Sequence, residues 1–252
     1  MIKRLSLILL GCLMLAACSE GSNPGSAAAP ATDTASSGAP AGSQTAPASP
    51  VASRPAAPVP QGGYQDGVDF QTLPRPVSTE DAGKIEIAEV FWYGCIHCYR
   101  LEPTLEEWVA NLPEDVNFVP VPAIWHPTME LHARIFYASR ALGTLEQTHW
   151  PTFQALNRNA NALNSEANVL DFVEDLGIDP EQFRRAFSSF GVNTQVTQAR
   201  SKAAGYGIRG TPEIIVEGKY RISTEMTGTQ EKMLDVAAWL IERARQERNS
   251  GA

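Results

Sequence analysis

Cysteine is scarce in this chain: four residues in 252, two of them, Cys12 and Cys18, within the first eighteen. That scarcity weighs against a structural zinc site, which usually needs four ligands and commonly two cysteine pairs. Positive charge is also short, with 20 Lys and Arg against 28 Asp and Glu and a formal net charge of −8. Nothing in that balance favours nucleic acid, whose phosphates demand a basic surface. No apolar run reaches the length needed to span a bilayer, since Leu5 to Ala17 covers only 13 residues. Between Ser19 and Gly63 there is no aromatic residue at all. Internal repeats are absent too.

The two remaining thiols form Cys95-Ile96-His97-Cys98, at the end of the apolar, aromatic run Ile85 to Tyr93. The run reads as a buried strand, and Tyr99 to Asn111 reads as a helix. At such a junction, unpaired backbone N–H groups and the helix dipole favour negative charge. The thiolate is the reactive form of cysteine, so the position supplies chemistry as well as packing. His97, if protonated, adds positive potential beside Cys95. A C-x-x-C pair also occurs in zinc sites and as an inert structural disulfide, and His126, His132 and His149 could in principle complete a metal site. None of them shows ligand spacing with a second cysteine pair, and the junction favours thiol–disulfide redox chemistry with no metal.

The first residues indicate export. Met1 to Arg4 is a short basic start, and Leu5 to Ala17 has the length of a secretory signal. Leu15-Ala16-Ala17-Cys18 resembles the lipobox of bacterial lipoproteins, which implies a signal peptide of residues 1–17 and a lipidated Cys18. The competing reading is an ordinary signal cut nearby, with Cys18 left as a free thiol. Multiple acyl chains give stable membrane attachment where one gives marginal binding. The mature chain would carry 18 basic and 28 acidic residues. An exported compartment is oxidising, so the pair can persist there as a disulfide. Ser19 is not the acidic retention signal of inner-membrane lipoproteins in some bacteria, which favours the outer membrane. Of the 45 residues Ser19 to Gly63, 37 are Ala, Gly, Pro, Ser or Thr. Such a stretch buries too little apolar surface to offset its ordering entropy, so residues 18–63 are expected to be a lipidated cysteine and a disordered linker. A mucin-like stalk is the other compositional reading.

From residue 64 the chain is long enough for one full core. Val116 to Pro122 reads as a second strand. Helical patterning follows over Pro127 to Gly143, Leu145 to Asn157, Ser165 to Gly177, a segment opened by Asp179-Pro180-Glu181-Gln182, and Val192 to Ala204. Strands return at Glu213 to Val216 and Lys219 to Ile222, turning at Glu217-Gly218, and a helix spans Gln230 to Arg248.

Three segments in this order carry a resemblance. Tyr64-Gln65-Asp66-Gly67 with Thr72 to Val77, Phe91 to Tyr99, and Ile208 to Tyr220 resemble the lead-in, the active-site strand and helix start, and the cis-proline loop and hairpin of the DsbA-type periplasmic disulfide oxidoreductases. The resemblance implies an α/β thioredoxin fold, residues 64–124 and 205–252, with a helical domain, 125–204, inserted. It departs from the family at Ile96, where the best-known dipeptide is Pro-His, and at Thr211, which is closer to the disulfide isomerases.

The resemblance further implies a Cys95–Cys98 disulfide, with Cys95 as nucleophile and Cys98 as the buried resolving thiol. His97 and the helix start would stabilise the Cys95 thiolate, making the disulfide more oxidising. An acidic residue at the position of Glu89 helps move protons in that family. Glu89 could instead turn to solvent or pair with Lys84. Pro212 would be cis, and Thr211 would offer backbone groups to an extended substrate. Pro103 matches the helix-kinking proline of thioredoxin-like proteins. Trp108, Trp125, Trp150 and Trp239 are most simply packing residues. Implied partners are reduced or unfolded exported proteins, a DsbB-type membrane quinone reductase and the membrane itself, with no cofactor. The alternatives are a reductase or isomerase, a non-catalytic chaperone-like binding module, and a metal-binding lipoprotein.

Overall fold

Seven consecutive buried residues, Ile85–Phe91, form strand β2, the centre of the sheet. A strand buried on both faces has no solvent side to alternate with, and here even Glu86 and Glu89 are buried. Residues 63–251 are described, from a computed structural model. The expected signal peptide, Cys18 and the linker up to residue 62 lie outside the described residues.

Strand β1 (Gln71–Thr72) precedes β2, and helix α1 (Ile96–Ala110) crosses from β2 to β3 (Val116–Pro122). The crossover makes β2 and β3 parallel, with Ile85 opposite Val116. Helices α2 (Pro127–Leu142), α3 (Leu145–Arg158), α4 (Glu166–Asp175), α5 (Pro180–Phe187) and α6 (Phe190–Tyr206) follow without a strand between them. Then come β4 (Glu213–Val216), β5 (Tyr220–Ser223), the short α7 (Thr224–Thr227) and α8 (Gln230–Asn249). Strand β4 lies antiparallel to β2, with Ile87 opposite Val216, and the sheet order is β1-β5-β4-β2-β3.

The expected helix starts are built as their sequences suggest. Ser165 Oγ accepts the N–H of Asn168, and Asp179 accepts from Glu181 and Gln182, with Pro180 in the first helical turn. The β4–β5 turn spans residues 217–219, between the paired Val216 and Tyr220, and holds Glu217 and Gly218 both at positive φ. Glu217 tolerates that backbone because Arg248 and the Glu86 N–H hold its carboxylate. A Cβ on Gly218 would lie 2.0 Å from the Val77 carbonyl oxygen, so only glycine lets the lead-in pass there.

Two apolar clusters lie against the sheet. One joins Ile85, Ile87, Ile214 and Val216 to Leu101 and Leu105 of α1 and to Met233, Val236 and Leu240 of α8. The other joins Val90, Phe91 and Val121 to Phe136, Phe153 and Val169 of the helices between β3 and β4. Trp108, Trp150 and Trp239 pack against these clusters as expected. Trp125 does not: it is 54% exposed in the loop between β3 and α2, where the chain turns over the surface. Among the described residues, no helix is long and apolar enough to cross a membrane.

Candidate active site

Strand β2 ends at Phe91, two residues earlier than its apolar pattern suggests, and the chain turns through Trp92-Tyr93-Gly94. The Cys95 N–H donates to the Trp92 carbonyl at 2.9 Å, closing that turn. Cys95 is then the N-cap of α1, which begins at Ile96 rather than at the expected Tyr99. The earlier start puts Cys98 inside the first turn, whose backbone donors point toward the Cys95 sulfur.

The turn is held from below. The Trp92 indole donates to His132 Nδ1 at 3.0 Å, with the two rings edge to edge and 15° from coplanar. The other ring nitrogen of His132 meets the Leu163 carbonyl at 3.0 Å. Burial pulls the His132 pKa down to about 4, so the ring is neutral and both contacts are fixed. A Cβ on Gly94 would come within 2.4 Å of the Trp92 ring, which is pinned and cannot give way. Gly94→Ala should therefore cost about 1–3 kcal/mol, the usual range for forced overpacking. It should also raise the Cys95 pKa by lifting the sulfur off the helix start. Urea unfolding and thiolate absorbance would check both, and a variant with an unchanged midpoint would contradict the packing argument.

The two thiols differ sharply. Cys98 is fully buried, and burial first, then the Cys95 sulfur and the Glu89 charge, push its pKa well up. Cys95 is half-buried, and its pKa is lowered to about 5. The hydrogen bond from the Cys98 side chain is the largest cause, against the opposing effect of burial. Thr211 and the backbone N–H groups of Cys98 and His97 add to the lowering. As a thiol, Cys95 donates to the Thr211 carbonyl at 3.2 Å, across 116 positions of sequence. The Thr211–Pro212 peptide is cis.

Glu213 shapes that loop, a role that sequence reasoning missed. Its carboxylate accepts the N–H groups of Arg209 and Gly210 at 3.0 and 3.1 Å, curling residues 209–213 toward the dithiol. The one available signal is an acidic residue next to a proline at a strand start.

His97 is exposed, and its carbonyl accepts from the Gln230 side chain at 2.7 Å, which ties α1 to the start of α8. Pro103 lies within α1. Tyr99 stacks on Trp150, with ring centroids 4.9 Å apart. Glu89 neither reaches solvent nor pairs with Lys84: it is buried, with Oε1 unpartnered. It shares a strand face with Ile85 and Ile87, the face covered by α1. Burial above all, then the charges of Glu102 and Cys95, raise its pKa well above the usual carboxylate range.

The histidines weighed as ligands have other partners. His126 Nδ1 accepts the Thr128 N–H at 3.2 Å, capping α2. His149 lies between Tyr93 and Glu102. Among the described residues, no group of three His, Cys, Asp or Glu is arranged to hold a metal ion.

Residues 113–234 match the family described as the DSBA-like thioredoxin domain. The thiol:disulfide interchange protein DsbA of Azotobacter vinelandii is 37% identical over 179 residues, 71% of this chain and 84% of that protein. The crystal structure of Pseudomonas aeruginosa DsbA superposes with a TM-score of 0.71 at 34% identity, covering 74% of this chain and 97% of that one. The DsbA oxidoreductase structure from Xylella fastidiosa gives a TM-score of 0.68 at 28% identity, over 73% and 98%. With the thioredoxin-like fold, its helical insertion and the dithiol at the start of α1, these similarities establish that the chain belongs to the DsbA family and is a thiol:disulfide oxidoreductase.

Proposed function

We propose that the chain is an oxidant that donates the Cys95–Cys98 disulfide to exported proteins. One observation carries this: the half-exposed Cys95 has its pKa lowered to about 5, while the buried Cys98 has its pKa pushed well up. A substrate thiolate attacks Cys95 Sγ, forming a mixed disulfide and expelling Cys98 as a thiolate. Glu89 gives Cys98 a proton and regains one from solvent. The second substrate thiolate then attacks the substrate sulfur of the mixed disulfide, and Cys95 leaves as a thiolate. Two electrons pass from substrate to enzyme. Of the two substrate protons, one is balanced at Cys98 and the other is released.

In this reading, His97 adds positive potential when protonated, and Thr211 with Pro212 receives the extended substrate segment. A DsbB-type membrane quinone reductase reoxidises the pair. The compartment is the periplasm, with Cys18 as lipid anchor, residues 1–17 removed and 18–63 as the tether. The outer membrane is preferred because Ser19 is not an acidic retention signal. The catalytic unit is residues 64–124 with 205–252, and 125–204 is the inserted helical domain.

The test is the reduction potential of the full chain in detergent, titrated against glutathione. A value near about −120 mV is expected for a dithiol oxidant. A value near about −270 mV, in the thioredoxin range, would instead point to a reductase or a reductively maintained isomerase.

A further inference from the structure

Beneath the dithiol, a second line of polar groups reaches from the sheet to the helical insertion. The Tyr93 hydroxyl is 2.7 Å from His149 Nδ1, and His149 Nε2 is 2.9 Å from Glu102 Oε1. The imidazole is enclosed by the rings of Phe91, Phe136 and Phe153, with centroids 5.3–5.9 Å away. Glu102 is buried on α1, and its Oε2 has no partner, like Oε1 of Glu89. We propose that His149, oriented by Tyr93, decides which of these two carboxyl groups carries the proton: it holds Glu102 as the anion and leaves Glu89 as the acid that serves Cys98.

The order of protons follows from the partners. Tyr93 is buried, and burial, then the charges of Glu102 and Glu89, keep its phenol protonated. In the proposed arrangement its O–H is the donor and His149 Nδ1 the acceptor. The ring's own proton is then on Nε2, which donates to Glu102 Oε1. A carboxylate is the stronger acceptor of that bond. Two neighbouring buried carboxyl groups resist ionising together, so the proton stays on Glu89. The titratable groups on the elements that meet here are Glu89 and Tyr93 at β2 and the turn after it, Cys95, Cys98 and Glu102 at α1, and His149 on α3. His149 and Tyr93 act through Glu102, so both are positioning residues. This inference rests on Glu89 as the proton carrier of the proposed mechanism.

Infrared spectroscopy of the reduced full chain at pH 7 tests it through the carbonyl band of protonated carboxylic acids. In the otherwise wild-type protein, Glu89→Gln should remove one such band and Glu102→Gln none. In a His149→Leu background, Glu102→Gln should also remove one, because Glu102 has lost its donor. His149→Gln, whose amide can donate to Glu102, should restore the original pattern. Tyr93→Phe should mimic His149→Leu, since it frees the proton to move to Nδ1. Cys95 thiolate absorbance should form at lower pH in His149→Leu, a buried negative charge having gone.

A purely structural His149 would lower stability and leave the bands as they were, which would overturn the proposal. So would a wild-type band removed by Glu102→Gln. If His149→Leu does not fold, Tyr93→Phe alone decides. Turnover is read separately: a chain that moved the bands as stated yet failed to oxidise dithiols would sink the oxidant reading and leave this one standing.

Discussion

The Cys95→Ser protein will exchange no disulfide with any thiol substrate, and the Cys98→Ser protein will be caught as a mixed disulfide through Cys95. A hydroxyl at 95 removes the half-exposed sulfur, and the cysteine that remains among the described residues, Cys98, is fully buried and held as a thiol. Neither attack by it nor attack on it is open in the folded chain. In the Cys98→Ser protein, Cys95 still reacts with an oxidised peptide, but no second thiol releases the adduct. Mass spectrometry of each variant after incubation with such a peptide would show a near-stoichiometric adduct for Cys98→Ser and none for Cys95→Ser. An adduct on Cys98 would reverse the assignment.

The same asymmetry sets a pH dependence. The Cys95 pKa falls from the thiol's ordinary 9.0 to about 5 on folding. A depressed value stabilises the folded reduced protein fully above the unfolded pKa, and that stabilisation is lost as pH falls through the folded one. At pH 7 up to two of the four units are realised; Cys95 is only half-buried, and solvent screening brings this to about 1–2 kcal/mol, about 20–40 mV on a two-electron couple. Cys98 remains protonated throughout this range and contributes nothing to the slope. The urea midpoint of the reduced form should therefore exceed that of the oxidised form at pH 7, and the gap should close toward pH 5. A gap independent of pH would remove the thiolate as its cause.

Glu89→Leu should make the protein more stable and a poorer catalyst. The raised pKa of Glu89 means that the folded state keeps a proton which the unfolded chain releases above about 4.5. That difference costs stability, and the cost grows as pH rises from 4.5 toward the raised folded value. Removing the carboxyl also removes an unpartnered buried oxygen, worth about 1–3 kcal/mol. The gain from the lost oxygen should be present at pH 4, and the total gain should be larger at pH 7. Exchange should slow by about 10²-fold, the lower end for a positioned acid–base group. Chemical unfolding at the two pH values and stopped-flow oxidation of a dithiol peptide would measure both. A stability gain that did not change with pH would contradict the protonated state assigned to Glu89.

The local parts of the site are legible in the sequence, and the parts assembled across the chain are not. Cys95 and Cys98 are neighbours on any helix that starts there, so their pairing needs no tertiary information. Ser165 and Asp179 announce helix starts because a cap is a contact over two or three residues. The Tyr93–His149–Glu102 line joins positions 47 and 56 apart, and no spacing rule reaches that far. Strand β1 is two residues at the sheet edge and exists only because β5 is beside it. Trp125 reads as core by residue type, yet it follows the last residues of β3, where the chain leaves the sheet. Helix α1 starts three residues before its sequence pattern does, because Ile96 and His97 look like loop until Cys95 is recognised as the cap.

Strand β2 finds β3 about thirty positions downstream, but it finds β4 only beyond some 120. Contacts of such separation are slow to form, since a long loop must close before any bond rewards it. During synthesis, then, an emerging chain presents its two sulfurs well before the segment carrying Thr211 exists to meet them. Until synthesis is complete it is a chain with a bare thiol pair, as much a client of oxidative folding as an agent of it.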